Sequence, residues 1–213
     1  MARLIIFANG LLPSLASARH LIQPGDVFYA ADGGTQHVLA LGLIPSVVIG
    51  DLDSLTPEER QYLDVKGVDI RQYSRDKDQT DLELALDHAI QAGYREILVV
   101  GALGGRLDQT LGNLALLSDH RLSTCDIRLD DGVEEAFFTR GRCEIRGRPG
   151  DIVSLLPWGG DVTGICTEGL RWPLRSETLI SARTRGISNE MSHERASIML
   201  KSGLLLVIHH RHV

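Results

Sequence analysis

Seven aspartates follow short apolar runs that read as the ends of strands. Asp32 follows Val27–Ala31 and precedes Gly33-Gly34, and Asp51 and Asp53 follow Val47–Ile49 and Gly50. Asp76, Asp78 and Asp81 follow Val68–Tyr73, and Asp108 follows Ile97–Val100 through Gly101-Ala102-Leu103-Gly104-Gly105-Arg106. In an open parallel sheet, ligands bind beyond the carboxyl ends of the strands. Carboxylates gathered at one such edge raise each other's pKa and repel unless cations neutralise them. Mg²⁺ suits that task, being hard, oxygen-seeking and commonly shared between carboxylates and substrate phosphates. The pairs Gly33-Gly34 and Gly104-Gly105 would let backbone amides approach a phosphate. Lys77 and Arg106 are the basic residues within these segments, and a guanidinium can grip phosphate bidentately.

Each feature alone has a plain structural explanation. Asp-Leu-Asp at 51–53 places both carboxylates on one side if the chain is extended, yet Asp-rich turns are common. Asp81 sits in the first turn of a helix, where the dipole favours a carboxylate anyway. Glycine pairs make turns, and a cation among carboxylates makes salt bridges. Neither GxGxxG nor GxxxxGK[ST] occurs, so the common dinucleotide and P-loop fingerprints are missing. Jointly the residues point to metal-dependent phosphoryl or nucleotidyl chemistry, or to nucleotide binding.

The elements that must position them alternate in type. Leu4–Ala8, Val27–Ala31, Val47–Ile49, Val68–Tyr73 and Ile97–Val100 read as strands, with helical patterns near Pro13–Ile22 and over Gln36–Leu41 and Leu107–Leu117. Thr56-Pro57-Glu58-Glu59 and Thr80-Asp81-Leu82-Glu83 are capping-box starts for two more helices. Such alternation predicts crossover connections and a mostly parallel sheet. From about Asp126 the rhythm becomes short runs separated by Gly, Pro and Asp: Glu135–Thr139, Cys143–Arg146, Ile152–Leu156, Val162–Cys166, Ala196–Leu200 and Leu204–Ile208. These predict an antiparallel sandwich. The expected architecture is an α/β N-terminal domain over 1–130 and a smaller all-β sandwich domain over 131–213.

Charge follows the same boundary. The net −6 divides into −7 over residues 1–130 and +1 over 131–213, which argues against nucleic acid as a partner. No run approaches a membrane span or a signal peptide. Cys125, Cys143 and Cys166 lack CxxC spacing, so a reducing cytoplasm is the expected compartment. His209-His210-Arg211-His212 reads as a solvated tail.

The segments, in their order, resemble the thiamine pyrophosphokinase family. The resemblance rests on Ala31-Asp32-Gly33-Gly34, on 42–54 ending in Gly50-Asp51-Leu52-Asp53-Ser54, on Asp76-Lys77-Asp78-Gln79-Thr80-Asp81-Leu82-Glu83 and on Gly101 to Gln109. Glu168-Gly169-Leu170-Arg171-Trp172-Pro173-Leu174 and Gly186-Ile187-Ser188-Asn189-Glu190 extend it nearly to full length. Asp76 and Gln109 stand where Glu and His are common in the family. The resemblance implies a transferase that moves the pyrophosphoryl group of ATP onto the hydroxyl of thiamine, giving thiamine diphosphate and AMP. It implies Mg²⁺ on Asp51, Asp53 and Asp81, with Asp78 close by and Asp108 orienting Arg106 or joining the metal. Lys77, Gly104, Gly105, Arg106 and Gln109 would hold the polyphosphate. Asp32 would serve the cationic thiamine, Ser188 and Asn189 its pyrimidine, and Trp172 would stack nearby or be structural. A homodimer with active sites between subunits is also implied. Alternatives are a pyrophosphokinase for a hydroxymethylpterin, which the Ser188-Asn189 segment disfavours, a metal-dependent phosphohydrolase, and a non-catalytic nucleotide- or thiamine-binding module.

Overall fold

The computed structural model describes residues 2–212. The chain divides into two compact units, one through Gly132 and one from Val133 onward.

The first unit alternates strand and helix: β1 (Leu4–Phe7), α1 (Leu15–His20), β2 (Val27–Ala31), α2 (Gly34–Ala40), β3 (Val47–Gly50), α3 (Pro57–Val65), β4 (Asp69–Gln72), α4 (Asp81–Gln91), β5 (Glu96–Val100), α5 (Leu107–Leu117) and β6 (Asp126–Asp130). Its strands lie in the order β6-β5-β1-β2-β3-β4, and each neighbouring pair is parallel. Strands buried on both faces must be apolar throughout; Leu4, Ile5, Ile6 and Phe7 are all fully buried. Helix α3 begins with the full Thr56–Glu59 capping box and Pro57 in its first turn. At α4 the Thr80 hydroxyl accepts from the Glu83 N–H, while the Glu83 carboxylate turns to the Gln79 amide at 3.3 Å. Leu82, Leu86 and Ala89 of α4 are buried, and the helix packs on β1, β2 and β3. Burying Leu86 contributes about 1.5–3 kcal/mol. Strand β6 was not anticipated; it adds to the parallel sheet where the rhythm of the sequence already changes.

The second unit is antiparallel. Strands β7 (Glu134–Thr139), β9 (Ile152–Pro157), β12 (Asn189–Glu190) and β14 (Leu205–His210) lie in the order β12-β9-β14-β7. Strands β8 (Arg142–Arg146), β10 (Val162–Glu168), β11 (Arg175–Leu179) and β13 (Arg195–Met199) form a sheet in the order β11-β10-β13-β8. Val153, Leu155, Leu205 and Val207 from one layer pack with Ile145, Ile165, Ala196 and Ile198 from the other, which makes the sandwich. The solvated tail expected at 209–212 is corrected in part. Strand β14 is hydrogen-bonded on both sides, to β7 and β9, through His210. His209 is therefore fully buried, with Nε2 3.0 Å from Asp151 Oδ2. Among the described residues, no helix is long and apolar enough to cross a membrane.

Candidate active site

The chain runs outward from β1 to β4 and then returns to place β5 on the other side of β1. Loops leaving β1 and β5 therefore diverge, and a crevice opens beyond their carboxyl ends. A cleft of about 600 Å³ lies there, lined by Asn9 and Gly10 after β1, Asp32 after β2, Asp51 after β3, and Gly104, Gly105 and Arg106 after β5. Lys77 and Asp81 border it at the start of α4, Gln109 and Asn113 on α5.

Carboxylates converge at one side of this cleft. Asp32, Asp51 and Asp53 each offer an oxygen within 4.8 Å of the other two. The turn between Asp51 and Asp53 is not extended. Buried Leu52 adopts φ +65°, and the Asp53 N–H donates to Asp51 Oδ1 at 3.2 Å. A turn anchored by one apolar side chain thus brings the two carboxylates together. Asp32 itself has φ +44°, a conformation uncommon for a residue with a Cβ. Gly50 permits the approach of the neighbours: a Cβ there would lie 2.9 Å from Asp32 Cβ and 3.2 Å from Asp81 Cγ.

Asp81 lies beside this cluster. Burial pushes its carboxyl above the ordinary range, the Lys77 ammonium opposes that shift, and the charges of Asp32 and Asp51 add to it. Lys77 Nζ stands 2.9 Å from Asp81 Oδ1, and this buried oxygen has no partner besides that ammonium among the described residues. A set of carboxylate oxygens, one under-satisfied and buried, fits a hard divalent cation such as Mg²⁺.

The phosphate side is built differently from the expectation. Gly33 and Gly34 are buried, and a Cβ on Gly34 would lie 1.9 Å from the Phe7 carbonyl oxygen. That pair is used in seating α2 against β1. Gly104 and Gly105 are exposed with φ +75° and +77°, and a Cβ on Gly104 would meet nothing within 4 Å. Their amides remain open to a ligand. Arg106 is bound to Asp108 by two contacts of 3.1 and 2.5 Å, and this guanidinium holds the Asp108 carboxyl below the usual range.

Asp53, Asp76, Asp78 and Asp108 are exposed and do not line the cleft; Asp53 keeps its place in the carboxylate cluster and Asp108 its contact with Arg106. Asn9, Gly10, Arg75 and Asn113 do line it and were not singled out from the sequence. Asn9-Gly10 carries a usable signal, standing directly after the first strand.

Ser188, Asn189 and Trp172 belong to the second unit. Asn189 is buried, and its Nδ2 donates to the Trp172 carbonyl at 2.7 Å while its Oδ1 accepts from the Trp172 N–H at 3.1 Å. The Asn189 amide thereby clamps the Trp172 backbone. The indole is half exposed, with the Arg171 guanidinium 4.8 Å from its ring centroid. Ser188 is exposed with φ +60°.

Comparison with known proteins follows the same division. Residues 18–129 match the family described as "Thiamin pyrophosphokinase, catalytic domain", and residues 142–205 match "Thiamin pyrophosphokinase, vitamin B1 binding domain". A thiamine pyrophosphokinase of Bacillus subtilis is 33% identical over 184 residues, 85% of this chain and 86% of that protein. The crystal structure of thiamine pyrophosphokinase from Bacillus subtilis superposes with a TM-score of 0.88 at 28% identity, over 99% of this chain and 100% of that one. That of thiamin pyrophosphokinase from Geobacillus thermodenitrificans gives 0.82 at 26% identity, over 100% and 98%.

Proposed function

The chain belongs to the thiamin pyrophosphokinase family, and from that membership we propose that it transfers the pyrophosphoryl group of ATP to the hydroxyl of thiamine, releasing thiamine diphosphate and AMP. The observation that carries this reading is the convergence of Asp32, Asp51 and Asp81 in one cleft with Lys77, Gly104, Gly105 and Arg106, with exposed Asp53 joined to Asp32 and Asp51 in one carboxylate cluster.

Asp51, Asp53 and Asp81 would hold Mg²⁺, with Asp32 in the same cluster rather than committed to thiamine alone. A bound Mg²⁺ neutralises polyphosphate charge and fixes its geometry. The Gly104 and Gly105 amides and the Arg106 fork bind phosphate oxygens, and Asp108 aims that fork. Lys77 adds positive charge beside the transferring group. The thiamine hydroxyl attacks the β-phosphorus in line and gives up its proton to solvent; the bond from the β-phosphorus to the bridging oxygen of the α-phosphate breaks, and AMP departs with the electron pair. Positioning and charge neutralisation supply most of the acceleration in such transfers. Ser188 and Asn189 would recognise the pyrimidine, Asn189 also by holding the Trp172 segment. The proposed setting is a cytoplasmic homodimer with sites between subunits. It is supported by the family resemblance.

The test is incubation with ATP, Mg²⁺ and thiamine, followed by chromatographic resolution of the products. AMP with thiamine diphosphate supports the reading, whereas ADP with thiamine monophosphate, or no thiamine-dependent turnover, overturns it. Asp53→Asn is expected to lower turnover at least about a hundredfold through lost charge neutralisation. A variant within about threefold of wild type at saturating Mg²⁺ would remove Asp53 from the metal site.

A further inference from the structure

Ser54 closes the sequence motif around Asp51 and Asp53, yet nothing above gives it a task. Its hydroxyl donates to Asp32 Oδ1 at 2.8 Å, reaching from the turn after β3 to the residue after β2. Asp32 is rigid in its backbone. Its N–H donates to the Ile49 carbonyl at 2.8 Å, and its own carbonyl accepts from the Thr35 N–H at 3.0 Å and the Thr35 hydroxyl at 2.8 Å. Only the side-chain torsions of Asp32 are left to set, and the Ser54 hydroxyl sets them.

Ser54 is anchored in turn. Leu52 is buried two residues before it, and Thr56 begins the α3 capping box two residues after it. The Gln36 amide donates to the Ser54 carbonyl at 3.2 Å. The hydroxyl therefore points from a fixed platform.

We propose that Ser54 is a positioning residue of the cation site, orienting the Asp32 carboxylate so that it shares one divalent cation with Asp51 and Asp53. The inference rests on the metal reading above. Three carboxylates within 4.8 Å of one another repel, and an unrestrained Asp32 would rotate away before a cation arrives. One donated hydrogen bond selects the rotamer of the carboxylate. The cluster then waits in its binding geometry, which is how partners behind metal ligands raise affinity.

The full chain is titrated with Mn²⁺ alone, without nucleotide, and uptake is read by electron paramagnetic resonance. Ser54→Ala is expected to weaken Mn²⁺ binding about tenfold, and Ser54→Thr, which keeps the hydroxyl, to stay within about threefold of wild type. Gln36→Ala, which leaves Ser54 in place but frees its platform, is expected to fall between them. If wild type binds and Ser54→Ala binds equally well, the inference fails and the metal reading stands. Equal weakening in the Ala and Thr variants also overturns it, because the loss would then follow from altered packing. If wild type takes up no Mn²⁺ to about 10 mM, the metal reading fails and the inference with it.

Discussion

Asp81 carries the electrostatic cost of the site most visibly. Burial raises its carboxyl, and the charges of Asp32 and Asp51 reinforce the shift against the opposing Lys77 ammonium. A carboxyl raised on folding binds its proton more tightly in the native state. It therefore favours the folded form at low pH, and that contribution disappears as pH climbs through its elevated titration point. The wild-type chain in chelator should thus lose stability relative to Asp81→Asn as pH rises above the ordinary carboxylate range. Thermal melts of both proteins through that rise check the sign. A wild type that gains on the variant with rising pH would show that Lys77 outweighs burial. The Ser54–Asp32 contact works at the same scale but with the opposite sign, as a favourable hydrogen bond that orients one carboxylate of the cluster.

Two glycine pairs that look alike in sequence do different work once elements pack around them. Gly34 lies where a Cβ would strike the Phe7 carbonyl at 1.9 Å, while Gly104 faces open space at φ +75°. Gly34→Ala must push α2 from β1 and is expected to cost about 2–4 kcal/mol by chemical denaturation. Gly104→Ala meets only the backbone penalty of a positive φ, about 1–2 kcal/mol. Its larger effect should be a raised KM for nucleotide, because the loop amides move. Equal destabilisation by the two substitutions would contradict this assignment. The same distinction explains where sequence patterns failed. Strand β11, Arg175–Leu179, is mostly exposed and polar, so apolar periodicity had little to register. His209 looked like tail because a buried histidine is recognisable only with its partner Asp151, 58 residues away.

For the whole molecule, the acidity of residues 1–130 belongs to the unit that holds the cleft, and the near-neutral remainder belongs to the sandwich. If each proposed active site takes its cleft from one subunit and its Ser188-Asn189 segment from another, two inactive chains can complement. Co-expressed Asp53→Asn and Asn189→Ala variants should recover about a quarter of wild-type activity, since half of a random dimer population carries one intact site. Recovery of none, with both variants folded and dimeric by light scattering, would place each site within one subunit.

The alternation of strands and helices through β5 and the change from parallel to antiparallel architecture were legible in the sequence, although β6, β11 and β12 were not. The legible features depend on local periodicity, capping and strand-end position, which neighbouring residues determine. Which carboxylates meet was not legible. Asp32 joins Asp51 and Asp53, while Asp76 and Asp78 stay outside that cluster, because β2 lies beside β3 and the turn at Leu52 folds back. Spacing along the chain proposes ligands; only the pairing of strands, and the hydrogen bonds that hold their loops, selects among them.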